Sequence, residues 1–257
     1  MAEAKRYRDS LREDRFRLFE LRAGQSDLLV GVDRASWDPA LAFGAARALA
    51  GLRAQLGAQL EKSPSWGRSW APLPADGSAP PVVRAMDEAA GAACVGPMAA
   101  VAGAVADCVL DWLAAAGARE AFVENGGDCA ILAKEPFVTG LWPGDAVFSG
   151  RLAMELPAGR WGVAGSSGRL GHSASLGRAD LCAAVAVRCS LADAWATRGG
   201  NMVGGPDEVE DAAALAGRPG GPLAVFAAAG GRAAYRGPFP LVPALESGRQ
   251  PSGRSVA

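Results

Sequence analysis

Two short apolar runs, 118–124 and 128–133, are joined by Asn125-Gly126-Gly127, and this arrangement constrains the fold more than any other feature of the chain. Asn-Gly between β-prone segments is the strongest local signal for a tight hairpin, because its central residues need positive φ. Two strands must therefore lie side by side in the middle of the sequence, with the rest arranged around them. The same glycines let backbone N–H groups approach a ligand, and Asn125 and Asp128 stand beside them as polar contacts. A plain hairpin turn and a ligand-binding turn both fit the motif.

Other segments supply the partners. Phe16 and Leu18 alternate with Arg15 and Arg17, and the phase slips at Phe19, which reads as a bulge in a strand. Leu28-Leu29-Val30 follow a turn and complete a hairpin. From about 39 to 61, Leu41, Ala45, Leu49, Leu52, Leu56 and Leu60 fall on one helical face behind Asp38-Pro39. The stretch 63–81 holds five prolines and two tryptophans and reads as a long irregular connection. Its Trp66 and Trp70 either form a lid over a flat ring or tack the loop to the body. Helices are expected at 82–93, 98–117, 191–199 and 207–216. Further strands are expected near 147–155, 160–164, 180–189 and 222–228. Helices and strands in mixed order indicate an α+β or α/β protein with a mixed sheet.

Composition excludes several functions. With 26 basic and 27 acidic residues the net charge is -1, and no basic stripe offers a footprint for nucleic acid. A zinc site is disfavoured because His172 is the sole histidine. The five cysteines form no C-x-x-C pair and read as buried reduced thiols of a cytoplasmic protein. The charged N-terminus lacks the apolar core of a signal peptide. Residues 89–106 carry no charge, but Ala, Gly and Pro97 dominate them, so buried core is expected there rather than a membrane span.

Three motifs carry chemistry. In SLADAWAT (190–197), Asp193 and Thr197 stand four residues apart on one helical face, where two oxygens can hold a hard cation such as Mg2+. WGVAGSSGRLGHS (161–173) spaces Gly165, Ser166, Ser167 and Gly168 ahead of Arg169 and His172, either as a phosphate cradle or as a surface loop. Asp107 and Asp111 repeat at the same four-residue spacing. At least one of them points to solvent or to a ligand, and Asp111 is read as part of a solvated face.

In this order the motifs resemble the ApbE-like family, whose known members are FAD:protein FMN transferases. GPMAAVAGAVAD (96–107) is similar to the family's Gly-rich segment, ENGGD (124–128) to its N-x-G-G-D turn, SSGRLGHS to its S-G…S-H loop, and SLADAWAT to its S-x-A-D-A-x-A-T helix. The resemblance covers roughly residues 93–203. It implies an α+β, ApbE-like unit over 1–245, with mixed sheets packed by helices and a frayed tail at 246–257. It assigns Mg2+ to Asp193 and Thr197 and catalytic roles to His172 and Asp193. Contacts to FAD or a related small nucleotide fall to Asn125, Gly126, Gly127, Asp128, Gly165, Ser166, Ser167 and Gly168. The sequence departs from the transferases at Ala102, where they carry Lys, and after His172, which is followed by Ser-Ala-Ser-Leu where theirs continues to Asp-Pro. These departures resemble a shorter cytoplasmic branch of archaea and anaerobic bacteria, linked at family level to sulfur assimilation toward homocysteine. The competing expectations are such a sulfur-transfer accessory role and a non-catalytic nucleotide-binding module. No membrane or nucleic-acid partner is expected, and the apolar content is compatible with a homo-oligomer.

Overall fold

The computed structural model describes residues 15–144, 147–168 and 177–244. Its centre is the expected hairpin, β3 (Ala121–Asn125) and β4 (Asp128–Ala133), with Asn125 opposite Asp128. Gly126 and Gly127 take φ of 69° and 113°, which a side chain would resist. On one flank lie β2 (Ser26–Asp33) and β1 (Phe16–Ala23). On the other lie β7 (Gly159–Ser166), β8 (Leu181–Ala186), β9 (Ala224–Ala229) and β10 (Arg232–Arg236). Every neighbouring pair is antiparallel, giving an eight-stranded sheet in the order β1-β2-β3-β4-β7-β8-β9-β10. A second, three-stranded sheet runs β11 (Leu241–Pro243), β6 (Leu152–Leu156), β5 (Phe137–Leu141).

Alternation along the strands assigns two layers to the large sheet. Leu28, Val30, Val123, Ala130 and Ala184 point into one core, shared with the helices α1 (Pro39–Lys62), α3 (Pro81–Ala93), α4 (Val101–Ala115) and α5 (Cys189–Met202). Leu29, Phe122, Ile131 and Val185 point the other way, into a core shared with Phe137, Met154 and Leu156 of the small sheet. The layers are helices, large sheet, small sheet. Asp38 starts α1 as expected, its carboxylate accepting from Ala40 N at 2.7 Å with Pro39 in the first turn.

Several expectations change. The phase slip at Phe19 is not a bulge, because β1 pairs with β2 without a break from Phe16↔Asp33 to Ala23↔Ser26. Both faces of β1 are covered: Phe16 and Leu18 meet the second core, whereas Phe19 and Leu21 meet the first. The connection 63–81 contains a short helix, α2 (Pro64–Arg68), and buried Trp66 donates from Nε1 to buried Asp87 at 2.7 Å. Trp66 is therefore a tack, while Trp70 stays exposed. The helix expected at 98–117 begins as a 3-10 turn at Pro97–Ala100 and runs on as α4, and that at 207–216 shortens to α6 (Val209–Ala213) between 3-10 turns. Strands β5, β10 and β11 were not foreseen. Pro97–Ala115 is long and apolar enough to cross a membrane by length and composition, and half of it is buried within the protein. The expected tail at 246–257 lies outside the described residues.

Candidate functional site

The helices α4 and α5 cross where each supplies a carboxylate to the other's first turn. Asp107 of α4 is 1% exposed and accepts from Cys189 N at 3.1 Å, Ser190 N at 2.9 Å and Ser190 Oγ at 2.8 Å. Asp193 of α5 accepts from Gly103 N at 3.0 Å, near the start of α4. First-turn N–H groups lack partners within their own helix, so both carboxylates cap from outside the helix they serve. The crossing needs Gly103, since a Cβ there would lie 2.3 Å from Cys189 O.

Beside Asp193, the β3–β4 turn adds three polar groups. Asn125 Nδ2 donates to Ala102 O at 3.0 Å, Asp128 Oδ1 accepts from Gly165 N at 3.1 Å, and Glu124 Oε1 accepts from Gly127 N at 2.7 Å. Burial pushes the Asp193 carboxyl up to about 7, against the pull of the Gly103 and Ala102 N–H groups, with Asp107 adding to the rise. Asp128 is pushed well above the usual carboxylate range by burial and then by the charge of Asp193. The charge of Asp193 thus opposes the ionisation of buried Asp128 at the end of the sheet.

Asn125, Gly126, Gly127, Asp128, Asp193 and Thr197 all line one cleft of about 2280 Å³. Gly165, Ser166 and Ser167 line it too. The backbone donors of that loop are partly spent, because Gly165 N serves Asp128 and Gly168 N bonds Ala179 O at 2.9 Å. Ser166 closes β7 and is buried. His172 and Arg169 lie outside the described residues. Asp111 is not simply solvated: Arg188 Nη2 reaches it at 2.7 Å, and Arg160 pairs with the same carboxylate, holding it below the usual range.

The structure adds residues that the motifs do not contain. Arg53, Arg68 and Arg198 bring cationic side chains to the cleft, and Trp70 sits at its wall on the segment that Trp66 anchors. Arg198 follows Thr197 directly, but its position on the helix carried no spacing signal. Among the described residues no three His, Cys, Asp or Glu side chains cluster as a metal site. A cation there would draw on the carboxylates, the Thr197 hydroxyl and oxygens from outside the chain.

By fold the chain is of the type found in flavinyl transferases. It superposes on the flavinyl transferase ApbE of Pseudomonas stutzeri with a TM-score of 0.51 and 18% identity, covering 91% of this chain and 96% of that one. On the flavin transferase ApbE of Vibrio cholerae the TM-score is 0.57 at 14% identity, covering 89% and 97%. Residues 8–224 match the model of the family described as "AbpE bacteria", and the chain belongs to that family. It is also similar to archaeal proteins named UPF0280: 38% identical over 161 residues to that of Methanococcus vannielii, covering 61% of this chain and 65% of the relative, and 40% over 154 residues to that of Methanocella arvoryzae, covering 59% and 62%. The match thus spans somewhat less than two thirds of the length of these relatives.

Proposed function

We propose that the cleft binds a flavin dinucleotide with Mg2+ and transfers its FMN half to an acceptor. The observation that carries this reading is that Asp128, Asp193 and Thr197 line one cleft: the charge of Asp193 opposes ionisation of buried Asp128, and a hard divalent cation, which prefers oxygen ligands, would relieve that repulsion. Asp193 and Thr197 would hold the ion, and Asp128 would face the nucleotide beside it. The metal supplies charge neutralisation at the diphosphate.

In the transfer an acceptor oxygen bonds to the FMN phosphorus, the bond to the AMP oxygen breaks, and AMP leaves. The acceptor's proton passes to Asp128, whose raised proton affinity makes it a stronger base than an ordinary carboxylate. The cationic side chains of Arg68 and Arg198 favour the phosphates electrostatically, and His172 keeps the catalytic role that the family resemblance gives it. The setting we propose is the cytoplasm, since five unpaired cysteines suit a reducing compartment. A thiol relay for sulfur assimilation is less well supported, because burial pushes the Cys108 thiol up to about 12 and Cys129 well above its ordinary value.

Calorimetric titration with FAD, with and without Mg2+, tests the reading. Micromolar binding that needs the metal, followed by release of AMP, is expected. Asp193→Asn keeps an acceptor for Gly103 N and removes the charge, so it should fold and lose the Mg2+ requirement together with tight binding. Wild-type affinity in that variant would remove the metal from Asp193.

A further inference from the structure

At one end of the cleft two polar side chains lack partners. Ser26 opens β2 and is only 5% exposed, yet its hydroxyl has no hydrogen-bond partner among the described residues. It shares the alternation of Leu28 and Val30, so it points to the helix side of the sheet. Arg53 reaches the cleft from α1, on the same face as Leu56 and Leu60. A Cβ built on Gly24 would stand 3.2 Å from Arg53 Nε, so the side chain lies against the β1–β2 turn. Its guanidinium has no hydrogen bond or ion pair among the described residues. Gln25, exposed at the tip of the turn, adds an amide to the same part of the lining.

The surroundings account for neither group. Asp27, next to Ser26, alternates to the opposite face and pairs there with its cross-strand neighbour Arg22 at 3.5 Å. The cleft takes no acid from the β1–β2 turn, α1 or α2. A hydroxyl so buried calls for a hydrogen-bond partner, and the guanidinium beside it sets that partner's charge. An anion with oxygen acceptors meets both. The planar guanidinium offers parallel N–H groups to a phosphate or a carboxylate, and the hydroxyl supplies a further donor.

The diphosphate of the proposed dinucleotide belongs at the other end. Asp128 opens β4 and accepts from Gly165 of β7, and Asp193, Thr197 and Arg198 approach from α5. In the sheet order β2-β3-β4-β7, Ser26 stands two to three strand spacings from that group, roughly 10–14 Å. The two phosphorus atoms of a diphosphate share one bridging oxygen and cannot serve both ends. We infer that Ser26, Arg53 and Gln25 form a second anion site, for a phosphate or carboxylate other than the diphosphate. That group is carried by the acceptor or by a further substituent of the nucleotide. Its place beside a bound dinucleotide rests on the flavin reading above; the anion site itself does not.

Inorganic phosphate titrated into the full chain without nucleotide, followed by NMR of the amides and arginine Nε–H groups, tests the site by itself. Gly24, Gln25, Ser26 and the Arg53 Nε–H should shift and saturate at millimolar phosphate. Arg53→Gln, which keeps a polar side chain and removes the charge, should weaken that binding about tenfold or more. Ser26→Ala, a separate variant that removes one donor, should weaken it about threefold to tenfold. No saturable shift at these groups, or wild-type affinity in Arg53→Gln, overturns the site. With FAD and Mg2+ bound, phosphate should still shift the same groups. Its displacement would show that the dinucleotide's own phosphates reach Arg53, and would overturn the separation of the two ends. Absence of FAD binding with the phosphate shifts intact fails the flavin reading instead and leaves the anion site standing. Two further ligands tell the sources apart. If the acceptor carries the anion, glycerol phosphate should bind beside FAD in the wild type and not in Arg53→Gln. If the nucleotide carries it, an adenosine bisphosphate should bind about tenfold more tightly than AMP, an advantage lost in Arg53→Gln. Indifference of both ligands to Arg53→Gln overturns the proposal.

Discussion

Asp107 and Asp193 cap each other's helices: the α4 carboxylate accepts the first N–H groups of α5, and the α5 carboxylate accepts from Gly103 near the start of α4. The two acids differ in what else they meet. Arg188 Nε lies 3.4 Å from Asp107, whereas Asp193 faces the cleft and its effect on Asp128 is repulsive.

That difference separates their variants. Asp107→Ala leaves three donors and Arg188 without their acceptor, so a stability loss of about 3 kcal/mol is expected. Asp193→Ala removes a cap but also a repulsion, and should cost about 1 kcal/mol or less. Urea unfolding of both variants measures this, and equal losses would contradict the asymmetry.

Gly103→Ala should destabilise by about 1–3 kcal/mol, because the added methyl meets a backbone carbonyl that cannot swing aside as a side chain can. Gly51→Ala, where nothing lies within 4 Å in the middle of α1, is the control and should be neutral or stabilising. Thermal melts of the pair would show whether the α4–α5 crossing is as tight as the geometry requires.

Thiol counting offers a third check. Cys94 is exposed at the end of α3, whereas Cys129, Cys182 and Cys189 are buried, and burial pushes Cys108 and Cys182 up to about 12. A thiol reagent at pH 8 should therefore modify one cysteine in the native protein and all five after denaturation. Rapid modification of Cys108 or Cys129 in the native state would revive a sulfur-transfer role.

The tack at Trp66 predicts a pH dependence. Burial raises the Asp87 carboxyl above its ordinary 3.8, although the bond from Trp66 pulls the other way. Above that value the native protein holds a proton that the unfolded chain has lost, so this group's contribution to stability falls as pH rises toward the raised value. Asp87→Asn keeps an acceptor for Trp66 Nε1 and should flatten that part of the stability profile. Melting temperatures from pH 4 to 7 decide it, and an unchanged slope would show that Asp87 is not its source.

What could be read in advance was local. The Asn125-Gly126-Gly127 turn fixes its own hairpin, and the α1 stripe from Leu41 to Leu56 repeats often enough to declare its face. The spacing of Asp193 and Thr197 put both on the cleft-lining side of α5. What could not be read depends on distant partners. β5 is short, preceded by Pro136 and interrupted by Gly140, and it becomes a strand only because β6 lies beside it. The capping role of Asp107 spans 82 positions to Cys189, which no periodicity encodes. At Phe19 the pattern itself misled, since a strand covered on both faces has no polar side to alternate with.

The small sheet has an order of assembly built into it. Its last strand, β11, pairs with β6 from nearly ninety positions downstream. At about 5–20 residues per second, a ribosome takes roughly 4–18 s to make that interval. The sheet that presents β5 to the cleft is thus completed after the helices and most of the large sheet exist. During that interval β6 has a vacant side of its own, where β11 must arrive before any foreign strand does.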